Sequence, residues 1–128
     1  HRILATDIQR ARQEHPDALV VVHPECLTEV VDAADHVAST TGILKFCHDS
    51  PAREFVIGTE IGLLHRLAKE NPEKRFFAAS VLSDCPNMKL NTLEKMVWSL
   101  EDMEFRVTVA PDVAAKAKRA IARMLELA

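Results

Sequence analysis

No two of the three cysteines, Cys26, Cys47 and Cys85, form a Cys-x-x-Cys pair. Their odd number and wide spacing indicate neither a zinc finger nor a disulfide framework. Free thiols suit a reducing cytoplasm, and a cytoplasmic protein is expected. Long apolar runs are missing as well. The longest are short VVV-type stretches, far below the ~20 residues a membrane helix needs, so no membrane partner is expected. The net charge of −3 is small, and no basic stripe accompanies Trp98 or the five phenylalanines. That pattern gives no reason to expect nucleic acid as a partner. Tyrosine is absent altogether. So is an initial Met: the sequence begins at His1 with a helical pattern almost at once, as expected of a piece of a longer protein.

What is present fits one globular domain. The chain has 128 residues, 48% of them apolar, enough for a packed core and too many for disorder. Residues 3–14 place Ile3, Leu4, Ile8 and Ala11 on one helical face, and Pro16-Asp17 stops that helix. Residues 18–22 (ALVVV) are continuously apolar and mostly β-branched, the mark of a strand buried on both faces. Leu27, Val30, Val31 and Ala34 have helical spacing. A short strand is expected at His36–Ala38, a helix at Ile43–His48 and a strand at Phe55–Ile57. A helix through Ile61, Leu64 and Ala68 follows, then a strand at Phe76–Ala79. Asn91 with Glu94 reads as a capping box for a helix with Leu93, Met96, Val97 and Leu100 on one face. Phe105–Val109 alternates like a strand, and Pro111-Asp112 opens a last helix. The order β-α-β-α-β-α-β, then α-β-α, predicts a three-layer α/β/α sandwich with a short parallel sheet. A boundary is expected near Asn91.

In such sheets ligands bind beyond the carboxyl ends of the strands. The residues that follow the strands are His23-Pro24-Glu25, Ser39-Thr40-Thr41-Gly42, Gly58-Thr59-Glu60, and Ser80 with Cys85 further on. Parallel strands bring all four loops to one edge. Each has a plain structural reading too. Glu25 and Glu60 suit a helix dipole, and Ser39 suits an N-cap. Small hydroxylated residues and a glycine at a helix start also expose backbone N–H groups to a phosphate. Cys47 reads as a core residue. His15, His36, His48 and His65 read as surface or boundary residues, and the Lys116, Lys118, Arg119 and Arg123 cluster as a solvated helix face.

The segments VVHPEC, VVDAADHVAST, FVIGTEIGLLHRL and CPNMKLNTLEKM, in this order, resemble the quinolinate synthase family along nearly the whole chain. The resemblance implies an enzyme of NAD biosynthesis. It condenses iminoaspartate with dihydroxyacetone phosphate to quinolinate, a transferase-type dehydrating condensation, with a [4Fe–4S] cluster as Lewis acid. It implies three similar α/β domains, each giving one cysteine to the cluster. Residues 1–90 then correspond to the third domain, and residues 91–128 to a terminal segment that returns to complete the first. Cys85 matches the third cluster cysteine. His1 matches the end of a P-G-x-C-x-x-H segment and a substrate-binding position, so two of the three protein ligands are expected outside this chain. His23 and Glu25 match the catalytic HPE motif. Ser39 and Thr40 match a substrate-binding pair, with Ala38 where the family usually has glycine. The isolated fragment is expected to be inactive and to self-associate. An alternative is a non-catalytic α/β module that binds a small anion or assembles with a partner chain. A zinc site of His23, Glu25 and Cys26 is disfavoured, because one short turn can hardly aim all three at one ion.

Overall fold

The computed structural model describes residues 2–127. The chain divides into two compact units, residues 1–86 and 87–128. The first contains α1 (Ala5–Glu14), β1 (Leu19–Val22), α2 (Thr28–Asp32), β2 (His36–Val37), α3 (Thr40–Asp49), β3 (Glu54–Gly58), α4 (Leu63–Glu70) and β4 (Arg75–Ala78). The short helix α5 (Pro86–Lys89) straddles the division, and α6 (Leu93–Glu101) and α7 (Pro111–Leu127) lie in the second unit.

The four strands form one parallel sheet in the order β2-β1-β3-β4. Successive side chains of a strand point to opposite faces, so the continuous apolar run of β1 must be covered twice. It is. Val20 and Val22 pack with Ile8, Ala11 and Val30, from α1 and α2, on one face. Val21 packs with Ile43, Cys47 and Leu67, from α3 and α4, on the other. In β3, Val56 joins the first core while Phe55 and Ile57 join the second. All three β1 valines are fully buried, each worth roughly 1.5–3 kcal/mol of hydrophobic stabilisation. The expected three-layer sandwich is the observed fold.

Two polar devices fix the layers. Asp35 accepts from the Val20 amide at 2.7 Å and from Arg12 at 3.0 Å, tying the β2 approach to β1 and α1. Burial alone would raise the Asp35 carboxyl, but the Arg12 guanidinium and the Val20 amide outweigh it and hold it below its ordinary value. At the far end of α3, Lys74 Nζ donates to the carbonyls of Cys47, His48 and Ser50 at 2.6, 3.0 and 2.8 Å. These are carbonyls that a helix C-terminus leaves without intrahelical partners.

The second unit differs from expectation in two places. The N-cap of α6 is Thr92, whose hydroxyl accepts from Lys95 N–H at 3.3 Å, and not Asn91. The expected strand at Phe105–Val109 is absent among the described residues: 104–110 carry no regular structure. Met103 and Phe105 sit at φ 53° and 59°, in the left-handed region that a strand cannot enter. A strand also needs a neighbour for its ladder, and none pairs with this segment. No helix among the described residues is long and apolar enough to cross a membrane.

Candidate active site

The strand order sets where a site can form. From β1 the chain moves outward to β2, then crosses back over β1 to β3 and on to β4. The direction reverses between β1 and β3, and such a switch point opens a crevice at the carboxyl ends of the two strands. A cleft of about 460 Å³ lies there. Four segments line it: Arg2 and Ile3; His23, Glu25 and Cys26 after β1; Gly58, Thr59 and Glu60 after β3; and Ser83 to Pro86 after β4.

The β1 end turns sharply because Pro24 pre-sets the backbone at the second position of a turn. The turn is closed by Cys26 N–H donating to the His23 carbonyl at 3.0 Å. His23 N–H donates to the Gly58 carbonyl at 3.1 Å, so β3 fixes the histidine's backbone. The His23 ring is fixed locally: Nδ1 accepts from Glu25 N–H at 3.3 Å. Accepting at Nδ1 leaves the proton of the neutral ring on Nε2. The Glu25 carboxylate lies 3.9 Å from Nδ1, too far for a hydrogen bond, and is 87% exposed against 23% for the imidazole. The two groups are thus adjacent, one held in the cleft wall and one free to meet solvent or ligand.

The two thiols of the cleft are not equivalent. Cys26 Sγ donates to the Gly58 carbonyl at 3.3 Å and packs against the first core. Burial pushes this thiol up, despite the His23 backbone contact that favours its thiolate, which disfavours it as a nucleophile at neutral pH. Cys85 also lines the cleft, half-buried, on a loop that several hydrogen bonds secure. Ser83 Oγ donates to the Ser80 carbonyl at 2.6 Å, and Ile61 N–H donates to the Ser83 carbonyl at 3.0 Å. Cys47 is fully buried in the second core, with its thiol pushed up to about 11 by burial.

Among the described residues, no group of three His, Cys, Asp or Glu side chains can hold a metal ion. A metal centre at this cleft would therefore need ligands beyond these residues, and the half-buried Cys85 is a thiol that could hold it.

Ser39 and Thr40 stand at the start of α3, on the same sheet edge, but do not line this cleft. Ser39 is the N-cap, its hydroxyl accepting from Gly42 N–H at 3.4 Å. A Cβ at Gly42 would meet the Ala38 Cβ at 2.8 Å, so alanine at 38 is matched by the missing side chain at 42. His1 lies outside the described residues. Sequence reasoning missed Arg2, Ser83 and Asp84. Arg2 bonds Asp84 across 82 positions, and nothing in the local pattern of either residue announces the other.

The family model described as quinolinate synthetase A protein matches residues 1–126. The chain belongs to the quinolinate synthetase A family. It is 50% identical over 127 residues to the quinolinate synthase of Thermodesulfovibrio yellowstonii, covering 99% of this chain and 42% of that protein. It is 52% identical over 126 residues to that of Methanoregula boonei, covering 98% and 42%. A third relative in Geotalea uraniireducens is 50% identical over 128 residues, covering 99% and 42%. The chain thus spans less than half the length of the quinolinate synthases it matches. Its cleft presents two cysteines, one histidine and three carboxylates at a parallel-sheet switch point.

Proposed function

We propose that this chain is the C-terminal part of a quinolinate synthase that condenses iminoaspartate with dihydroxyacetone phosphate, and that its β1–β3 cleft is one wall of the active site. The observation that carries this reading is the meeting of His23, Glu25 and Cys85 in one cleft at the switch point. In this reading Cys85 holds one iron of a [4Fe–4S] cluster, and the other thiolates come from outside residues 1–128. The cluster, when bound, supplies a Lewis acid for substrate oxygen.

The chain's own residues supply proton handling and binding. Imine formation and dehydration each require protons to be moved at nitrogen and oxygen. His23 presents a proton on Nε2, and the exposed Glu25 carboxylate accepts one. Their adjacency lets a proton taken by one pass to the other without crossing the cleft. Ser39 and Thr40, with the free N–H groups of the first turn of the ten-residue helix α3, bind the phosphate end of the substrate. His1 adds a substrate contact. Residues 91–128 complete a neighbouring domain of the whole enzyme. The chain alone is inactive, since one protein thiolate does not retain a cubane. The reading places the whole enzyme in the cytoplasm.

The test uses the full-length protein, reconstituted anaerobically with iron and sulfide. Cys85→Ala abolishes the broad visible iron–sulfur absorption, whereas Cys26→Ser and Cys47→Ser retain it. Glu25→Gln retains the cluster and loses turnover by at least ~100-fold, the lower end of general acid–base contributions. A Cys85→Ala protein that still carries its cluster removes Cys85 as a ligand. If the cluster never forms and quinolinate is never made, the cleft belongs to a binding module instead.

A further inference from the structure

The cleft's one arginine makes a contact that the reading above does not use. Arg2 Nη1 lies 3.2 Å from Asp84 Oδ1 and 3.5 Å from the Asp84 backbone carbonyl. Asp84 directly precedes Cys85. The carbonyl touched by Arg2 belongs to the peptide that joins the two residues, so the guanidinium bears on the plane of that peptide. On the other side of Cys85 stands Pro86, whose ring fixes its own φ and biases the preceding residue to extended backbone. Upstream, Ser83 is buried and bonded to Ser80 and Ile61. Cys85 therefore sits between a rigid proline and a peptide contacted by the distant Arg2. The Arg2 contact reaches this peptide from a part of the chain 82 positions away.

We propose that the Arg2–Asp84 pair is a latch that positions Cys85 for cluster binding. This rests on the reading of Cys85 as a cluster ligand. Arg2 and Asp84 are positioning residues that act through the Cys85 peptide. Their side chains are 55% and 45% exposed, so the pair contributes little to the stability of the fold. Its effect is confined to where the thiolate points and to the charge beside it. One positive and one negative charge next to the ligand also act on the cluster's electron affinity in opposite senses, because local charge sets cluster potential.

The experiment follows cluster loss to a chelator, by visible absorbance, in the reconstituted full-length protein. Arg2→Gln and Asp84→Asn each speed cluster loss roughly threefold, the effect of breaking an exposed ion pair. The double variant is no faster than either single, because both remove the same contact. The swapped pair, Arg2→Asp with Asp84→Arg, returns the rate toward that of the parent. The reduction potential falls in Arg2→Gln and rises in Asp84→Asn, a pattern that general loosening of the fold does not produce. Single variants with the parental loss rate, or a double variant whose effects add, overturn the latch. If Cys85→Ala keeps its cluster, the ligand reading itself fails. If Cys85→Ala loses the cluster while the pair variants behave like the parent, only the latch fails.

Discussion

Replacing Gly58 with alanine tests how closely the fold and the candidate site share one set of atoms. Gly58 ends β3 and pairs with Val22, the last residue of β1. A Cβ at position 58 would lie 2.6 Å from Val22 Cγ1, 3.0 Å from its Cβ and 3.4 Å from its Cα. Carbon atoms rest about 3.5–4.0 Å apart, so one neighbour must move. Val22 is fully buried and β-branched, with little rotamer freedom. The strands must therefore part, at the point where the Gly58 carbonyl accepts from His23 N–H and Cys26 Sγ. Overpacking of this kind costs about 1–3 kcal/mol. Val22→Ala alone removes two buried methyl groups at about 0.8 kcal/mol each, plus a cavity term. In the double variant the alanine at 58 fills the space the valine left, and the nearest clash is gone. Urea unfolding of the four proteins should give a double-variant cost below the sum of the singles by at least about 1 kcal/mol. Additive costs would refute the claim that Gly58 is required by close approach to Val22. A stable Gly58→Ala protein would refute it more directly.

Other consequences can be checked separately. Asp35 is held below its ordinary value, so its contribution to stability is present above the unfolded carboxyl value of about 3.9 and fades as pH falls through the lower folded value. Asp35→Asn should lower stability at neutral pH and make the loss between neutral pH and acid shallower; equal slopes by urea midpoint would contradict this. Lys74→Met leaves three carbonyls of the α3 terminus without their ammonium partner, and should cost about 2 kcal/mol in urea unfolding, discounted for partial exposure. A change under 0.5 kcal/mol, roughly the value of an exposed surface pair, would show that water replaces it. The 128-residue chain should self-associate in light scattering, and a monodisperse monomer would count against that expectation.

Much of the fold was legible because burial on two faces leaves a mark in the sequence. ALVVV needs cover above and below, and that requirement implies helices on both sides of a parallel sheet. The candidate site was legible to the extent that it follows from the sheet. Once the strands are parallel, whatever follows them shares an edge, and His23, Glu25 and Cys85 converge without further information. Contacts between distant segments were not legible. Arg2 reaches Asp84 by the path of the chain in space, and one exposed arginine reads like any other. Ser39 and Thr40 mark the reverse limit. Their positions at a helix start were readable, yet sharing an edge with His23 did not put them in the same cleft.

The second unit shows how a correct pattern can produce a wrong element. Residues 105–109 alternate as a strand should, and α6 and α7 carry apolar faces of helical spacing. Yet no large apolar residue of this unit is buried: Trp98 is 57% exposed, Phe105 84% and Val107 87%. Alternation records a surface meant to be half-covered. It does not supply the cover, and a strand without a neighbour has no ladder to stabilise it. The sequence of 87–128 therefore describes burial that these residues cannot provide for themselves. The relatives extend well beyond the 42% of their length that this chain matches, which leaves ample polypeptide to complete the sheet. In the reading proposed above, a neighbouring domain of the same enzyme supplies the missing ladder, and Phe105–Val109 becomes a strand only when that ladder is present.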